Sequence, residues 1–168
     1  MQIPADVYWG IHTARALINF PISRRAISNY PDLVRALARV KQASARANAE
    51  IGVLDAKKAD IIDAVCQRIV DGELHDQFVV GVIQGGAGTS TNMNTNEVIA
   101  SRANEILGKG RGGKSPVHPN NAVNMGQSSN DVIPTAIHVS ASEEISKTLI
   151  PTLERLHAAL VDKAHEFD

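Results

Sequence analysis

The sequence has few of the residues that mark several large classes of protein. Cys66 is the single cysteine among 168 residues, which excludes an intrachain disulfide and a metal site built from several cysteines. Aromatic residues make up 4% of the chain, too few for a platform on which nucleic-acid bases stack. The chain therefore needs an aliphatic core, and its 43% of hydrophobic residues can supply one.

The sequence also lacks an excess of one charge and a long apolar run. Lysine plus arginine is 17 and aspartate plus glutamate is 18, for a net charge of −1, whereas nucleic-acid binders carry a basic excess. The longest apolar run, residues 78–83, is far short of the ~20 residues that span a bilayer, and the N-terminus has no secretory signal pattern. We predict no nucleic-acid or membrane partner and a cytoplasmic location.

Apolar residues at helical spacing predict a mainly α protein. A first helix is predicted from Pro31, which suits the first helical position, to about residue 49, with Gly52 as its stop. A second helix is predicted after Asp55, a good N-cap, to Asp71. Cys66 lies on the apolar face of this second helix, which favours a small buried hydrophobe over a reactive thiol.

The pattern between these helices and the final one is less regular. Residues 1–28 are polar and irregular, and no helix is predicted there. Residues 78–83 are β-rich in composition but too short to separate a strand from a buried helical turn. A third helix is predicted over residues 92–107, and residues 108–127 are predicted to form a loop.

From Ser128 the pattern is helical almost to the last residue. Pro134 lies early enough to be tolerated, whereas Pro151 is expected to break or kink the helix. The helix carries an apolar stripe formed by Leu149, Leu153, Leu156 and Leu160. Because a helix gains most of its stability from packing, this stripe must pack on the preceding domain, pair with other chains, or belong to a longer protein.

One glycine-rich stretch matches a phosphate-binding loop in its letters only. Residues 108–115 fit the pattern G-x-x-x-x-G-K-[ST]. Such a loop needs a strand that enters it and a helix that leaves it, with the helix N-terminus facing the phosphates. Here a predicted helix enters, and Pro116 and Pro119 follow. We interpret the stretch as a basic flexible connector.

Two polar clusters open predicted helices. They are Thr89-Ser90-Thr91-Asn92, after a glycine-rich run, and Gln127-Ser128-Ser129-Asn130-Asp131. Hydroxyl groups, amides and free N–H groups at a helix start can bind an anion and stabilise a negative charge that develops during a reaction. The same residues are also common helix caps and turn formers. The clusters alone therefore indicate a helical domain with a hypothetical anion site.

Four stretches together resemble the N-terminal part of the aspartase/fumarase superfamily. They are residues 3–10 with His12-Thr13 and Asn19-Phe20, residues 85–97, Val123-Asn124 with residues 127–131, and Pro134-Thr135. The resemblance implies a mainly α fold: an N-terminal helical domain over residues 1–127 and the truncated start of a central helix-bundle domain over residues 128–168. It also implies a homotetramer that assembles through this bundle.

Within the superfamily, the motifs point in two directions. Gly10-Ile11-His12-Thr13 and residues 84–90 resemble aspartate ammonia-lyase, whereas Ser128-Ser129-Asn130 and residues 116–120 resemble class II fumarase. We favour the ammonia-lyase and keep the fumarase as the alternative. A weaker alternative is a non-catalytic oligomerisation module whose polar clusters only cap helices.

The resemblance to ammonia-lyases implies an anti β-elimination that converts L-aspartate to fumarate through an enediolate. It implies that Thr89, Ser128 and Ser129 hold the carboxylate that gains charge, and that Asn130 places the amino group. A second carboxylate site is implied at His118, Asn120 and Asn121, although the acid and the second histidine of the fumarase motif are absent here. The expected partner is a small dicarboxylate.

The catalytic groups of the superfamily are missing from these residues. Its general-base serine, in a Gly-Ser-Ser loop followed by Met-Pro-x-Lys-x-Asn, does not occur in the sequence, nor does its threonine–histidine pair. We therefore predict that the chain is inactive alone, as part of a longer enzyme. We predict no cofactor and leave activation by a divalent cation open.

Overall fold

The computed structural model describes residues 1–167, and every regular element in that range is helical. The longer helices are α1 (Ile11–Asn19), α2 (Pro31–Glu50), α3 (Ala56–Val70), α4 (Thr89–Ile106), α5 (Ser129–Glu144) and α6 (Ile150–Phe167). Short 3₁₀ turns at Ile27–Asn29 and His75–Gln77 and π-helical turns at Pro119–Val123 and Ile145–Leu149 join some of them. The prediction of a mainly α protein is confirmed.

Helices α2 and α3 begin and end on the signals that the sequence carries. Pro31 is the first residue of α2, and the Asp55 side chain caps α3 by accepting a hydrogen bond from the Lys58 backbone N–H at 3.1 Å. Each helix is followed by a glycine with positive φ, Gly52 at +76° and Gly72 at +106°. Glycine adopts this left-handed conformation without the strain of a Cβ, so it stops a helix locally.

The core forms where α2 packs against α3 and α5, and α4 packs mainly against α3 and α5. Its fully buried aliphatic side chains include Val34, Leu37, Ile62, Val65, Ile69, Val98 and Ile99, together with Phe78. Cys66 is fully buried among them, as predicted. Burial raises the pKa of its thiol, because the thiolate would lose its hydration there.

Helix α1 was not predicted, and its N-terminal cap shows why. Its N-cap residue, Gly10, has no side chain to offer. The buried Glu97 carboxylate of α4 accepts hydrogen bonds from the N–H groups of Gly10 (2.8 Å), His12 (2.9 Å) and Thr13 (3.1 Å) and from the Thr13 hydroxyl (2.7 Å). A cap from so far along the chain leaves no signal near α1 itself.

Residues 78–83 form neither a regular strand nor a helix. Their backbone lies beside the segment before α2, where Ala26 and Gly81 make an isolated antiparallel bridge. The Ile27 N–H donates to the Val80 carbonyl at 2.9 Å. The β-rich composition therefore corresponds to a short backbone pairing between the two segments, which is too short to be a strand.

Helix α4 starts at Thr89, earlier than the predicted residue 92, so the first polar cluster forms its first turn. The predicted loop over residues 108–127 contains the π-helical turn Pro119–Val123, which the sequence analysis missed. Gly108, with φ of +72°, ends α4 as expected.

The last helical run is continuous but changes geometry before Pro151. Pro134 is tolerated inside α5, as predicted. The π-helical turn Ile145–Leu149 lies directly before α6, in which Pro151 is the second residue. Proline has no N–H and its ring crowds the carbonyl four residues earlier, so the run shifts its hydrogen bonding there and does not break.

Helix α6 buries none of its residues. Leu153, Leu156 and Leu160 are 53%, 55% and 61% exposed. Packing of the stripe on the preceding domain, one of the three alternatives, is therefore not what the structure shows. Among residues 1–167, no helix combines the length and the apolar composition needed to cross a membrane.

Candidate functional site

The two polar clusters of the sequence meet in the structure. Thr89 is the first residue of α4 and Ser129 is the first residue of α5. The Oγ1 atom of Thr89 and the Oγ atom of Ser129 lie 3.3 Å apart, within hydrogen-bond distance. Thr89 is exposed and Ser129 half-buried. Two helix N-termini, each with a partial positive charge and unpaired N–H groups, therefore adjoin at a pair of hydroxyl groups that solvent can reach.

The other members of the second cluster flank Ser129 in the sequence. Ser128 is the N-cap of α5, and its hydroxyl accepts a hydrogen bond from the Asn130 N–H at 3.3 Å. Ser128 and Asn130 are both exposed. Asp131, also exposed, is the acidic residue in the first turn of α5, while the first turn of α4 has none. The two helix starts thus carry exposed or half-buried hydroxyl groups and one exposed carboxylate, that of Asp131.

The glycine run before α4 allows the two helix starts to approach. Gly88, the N-cap of α4, has φ of +77°, and a Cβ placed on it would lie 2.6 Å from the Ile133 side chain of α5. A Cβ on Gly85 would lie 2.7 Å from the Phe20 ring. Both contacts are far inside van der Waals distance, so these two positions need glycine for space.

Gln84 fixes the fold of the glycine run. Its side-chain nitrogen donates to the Thr91 hydroxyl at 2.6 Å, and its side-chain oxygen accepts from the Thr91 N–H at 3.0 Å. Thr91 and Asn92 are buried, so only the first half of the Thr89-Ser90-Thr91-Asn92 cluster faces outward. The second half supports the site from below.

Lys41 of α2 is a buried residue that sequence reasoning missed. It is fully buried, and its Nζ donates to Asn92 Oδ1 at 2.7 Å, Asn124 Oδ1 at 2.9 Å and Gln127 Oε1 at 2.8 Å. Burial lowers its pKa to about 7. The available signal was its spacing: it lies four residues after Leu37, on the same buried helix face.

The residues proposed for a second carboxylate site form one self-contained turn. The His118 Nδ1 atom accepts hydrogen bonds from the N–H groups of Asn120 (3.1 Å) and Asn121 (3.2 Å), and so caps the turn Pro119–Val123. Asn120 and Asn121 are exposed. None of these hydrogen bonds is made to Thr89 or Ser129.

Residues 1–167 contain neither a metal-binding cluster nor a phosphate-binding loop in its required context. Within residues 1–167, no three or more His, Cys, Asp or Glu side chains are grouped so that they could hold a metal ion. The stretch over residues 108–115 is entered from α4 and is followed by a non-helical segment. Asn104 at the end of α4 donates to the carbonyls of Gly113 and Val117, both at 2.9 Å, which folds this stretch back on its own helix.

A helical fold with hydroxyl groups at two adjoining helix starts fits a lyase that handles a carboxylate. A family model described as a lyase matches residues 1–168. The chain belongs to this family, the fumarase/aspartase superfamily, as its motifs indicate.

Relatives and solved structures agree on the family. The chain is 53% identical over 168 residues to fumarate hydratase class II of Halobacterium salinarum and 50% identical over 167 residues to aspartate ammonia-lyase of Pseudomonas aeruginosa, and it covers 35% of each protein. It superposes with a TM-score of 0.95 on the fumarate lyase:delta crystallin of Brucella melitensis, at 50% identity, covering 99% of this chain and 37% of that one. The class II fumarase of Schistosoma mansoni gives a TM-score of 0.92 at 37% identity, covering 99% and 35%.

These comparisons change the order of the two candidate enzymes. Aspartate ammonia-lyase was the first prediction from the motifs, but most of the similar proteins are named fumarate hydratase. The alternative is therefore supported at least as well as the first choice. The chain spans about a third of the length of the curated relatives that it matches.

Proposed function

We propose that the chain is the N-terminal part of a lyase that acts on a small dicarboxylate in the cytoplasm. Residues 1–127 form its first domain, and residues 128–168 begin a central helical bundle. The chain covers 35% of the length of its relatives, which supports the proposal that it is one part of a longer enzyme. The exposed apolar stripe of α6 is what a bundle helix would present to its partners.

The first candidate reaction is the reversible hydration of fumarate to L-malate. In the elimination direction, a base removes a proton from the carbon next to one carboxylate, and the electron pair moves onto the carboxylate oxygens as an enediolate. The hydroxyl group on the neighbouring carbon then takes up a proton from a general acid and leaves as water, while the electron pair returns to form the double bond. The names of most relatives support this candidate.

The hydroxyl pair carries the chemical argument. Thr89, Ser128 and Ser129 donate hydrogen bonds to the carboxylate that becomes the enediolate. Because these donors are fixed and uncharged, they interact more strongly with the doubly charged enediolate than with the substrate carboxylate, and this difference accelerates the reaction. The partial positive charges of the α4 and α5 N-termini act in the same sense, and Asn130 positions the leaving group.

The second candidate is the deamination of L-aspartate to fumarate, with ammonia as the leaving group. Two motifs favour it, Gly10-Ile11-His12-Thr13 and residues 84–90, as does the relative named aspartate ammonia-lyase. The full-length gene product, assayed separately with L-malate and L-aspartate by the absorbance of fumarate, distinguishes the two. Turnover of neither substrate would refute both candidates.

The catalytic base lies outside this chain in our proposal. The purified 168-residue chain is therefore expected to turn over neither substrate, and measurable release of fumarate by it would contradict this. In the full-length protein we propose a homotetramer built through the bundle. Replacing Leu153, Leu156 and Leu160 together by glutamate is expected to lower its mass in sedimentation, and an unchanged mass would refute the role of the stripe.

A non-catalytic oligomerisation module is the competing hypothesis, and the hydroxyl pair tests it. Loss of one fixed donor to a developing oxyanion lowers kcat by about 10²–10³-fold. We expect this for Thr89→Ala and for Ser129→Ala in the full-length protein. Ser142→Ala, an exposed serine farther along α5, is the matched control. Unchanged turnover in both site variants would support the module.

A further inference from the structure

Each N–H group of the Lys41 ammonium has its own hydrogen-bond acceptor. A protonated lysine carries three N–H donors, and Lys41 directs them to three amide oxygens at 2.7, 2.9 and 2.8 Å. A neutral amine has two N–H groups and a lone pair, so one of the three oxygens would lose its hydrogen bond from Lys41 and face that lone pair. The cluster of acceptors therefore suits the ammonium form.

The acceptors tie together the segments that carry the two site hydroxyls. Asn92 lies one helical turn after Thr89 in α4, and Gln127 directly precedes Ser128. Asn124 links the two, because its Oδ1 accepts from Asn92 Nδ2 at 3.0 Å and its Nδ2 donates to the Gln127 carbonyl at 3.0 Å. Lys41 connects α2 to this network through its three hydrogen bonds.

Within residues 1–167, Lys41 forms no salt bridge. In the part of the chain that the structure describes, its hydrogen bonds go to neutral amides. Cys66 of α3 is the titratable group that acts on it, and burial raises the pKa of that thiol, so it is neutral. On α5, Glu143 pairs with Arg39 and Lys147 on the outer side of the packing. Burial lowers the pKa of Lys41 to about 7, while the three oxygens favour the ammonium.

We propose that Lys41 is a positioning residue of this site, whose ammonium sets the spacing between the first turn of α4 and the start of α5 so that Thr89 and Ser129 reach the same carboxylate. The inference rests on the proposed lyase function. The geometry of the site then depends on the protonation of Lys41, although Lys41 itself does not contact the substrate. Loss of that proton releases one of the three amides and loosens the hydroxyl pair.

The first test replaces Lys41 in the full-length protein. Lys41→Met keeps the length of the side chain but removes its donors, and Lys41→Arg keeps the charge. Because small misplacement of a catalytic group costs about 10²-fold in rate, we expect Lys41→Met to lower kcat/KM by about that factor in the protein that remains folded, and Lys41→Arg to recover part of it. Lys57→Met, at an exposed lysine of α3, is the control. A folded Lys41→Met protein within threefold of wild-type kcat/KM overturns the proposal.

The second test uses pH and does not depend on how Lys41→Met folds. Gln127→Glu places a carboxylate beside the ammonium and raises the pKa of Lys41. The fall of kcat/KM at alkaline pH is then expected to move upward by about one pH unit or more. If Lys41 has a purely structural role, the alkaline fall of kcat/KM stays at the same pH in Gln127→Glu. That result overturns the proposal.

A third measurement separates this inference from the proposed function. If the wild-type full-length protein turns over neither substrate, the proposed function fails, and amide hydrogen exchange then tests Lys41 by itself. In Lys41→Met we expect faster exchange at residues 89–92 and 124–130, with protection of α3 unchanged. Unchanged exchange at both segments overturns the positioning role.

Discussion

The Glu97 carboxylate should be one of the most sensitive single positions for stability. It lies on α4, is almost fully buried, and accepts four hydrogen bonds from the start of α1. Its Oε2 atom receives three of them and its Oε1 atom receives the one from His12. Because this cap comes from α4, its loss should weaken the attachment of α1 to the rest of the fold.

The magnitude follows from which donors are left without an acceptor. Gly10 and His12 are partly open to water, but Thr13 is fully buried. In Glu97→Ala, the Thr13 N–H and hydroxyl lose their acceptors at about 1–3 kcal/mol each, and the lost cap adds about 1 kcal/mol. We expect the free energy of unfolding to fall by about 3–7 kcal/mol, a span that includes the range for removal of a buried charged partner.

Glu97→Gln should cost less. Its amide oxygen can serve the three donors of Oε2, but its NH₂ group then faces the His12 N–H, and one charge-assisted hydrogen bond is lost. We expect about 2–3 kcal/mol, near the upper range for a hydrogen bond to a charged group.

Urea unfolding followed by far-UV circular dichroism measures these changes, and amide exchange over Ile11–Asn19 localises them. Glu154→Gln, an exposed glutamate on α6, is the control and should change stability by less than about 0.5 kcal/mol. The proposed capping role is wrong if the free energy of unfolding of Glu97→Ala lies within about 1 kcal/mol of the wild-type value, or if amide exchange in α1 does not increase.

Three further predictions concern other elements. Gly88→Ala should destabilise the protein by about 1–3 kcal/mol more than Gly86→Ala, because both have positive φ but only the Gly88 Cβ meets the Ile133 side chain; equal urea midpoints would contradict this. The pKa of Glu105 is held at about 2, first by the Arg111 guanidinium, so this stabilisation is present above the ordinary pKa of 4.5 and is lost as pH falls through about 2; the stability difference from Glu105→Gln should vanish over that range, and a constant difference would refute it. The fully buried thiol of α3 should react with an aromatic disulfide reagent only as fast as the protein opens, and rapid labelling of the folded chain would show otherwise.

The sequence predicts elements whose signals are local. Pro31 and Asp55 mark the starts of α2 and α3, and glycines follow their ends, so periodicity and capping were sufficient there. Helix α1 was missed because its cap comes from Glu97 on a different helix. The brief pairing of Ala26 with Gly81 was beyond prediction for the same reason, since neither residue carries information about the other.

The candidate site divides along the same line. Each polar cluster could be recognised as a helix start from its own residues, but the 3.3 Å approach of Thr89 to Ser129 depends on how two helices pack. The superfamily resemblance supplied that link. Lys41 was missed because a lysine on a buried face is tolerated only when acceptors from other segments surround it, and those acceptors lie far away in sequence.

The bare stripe of α6 has a consequence for how the protein is made. All residues of the buried core cluster lie between Tyr8 and Ala136, so the body can close as soon as those residues have left the ribosome. The segment that emerges next exposes leucines that this body gives no place to bury. The newly made protein is therefore most prone to aggregate after its core has folded, before a partner helix arrives. Its yield in a cell should depend more on chaperone capture of that nascent helix than on the stability of the core.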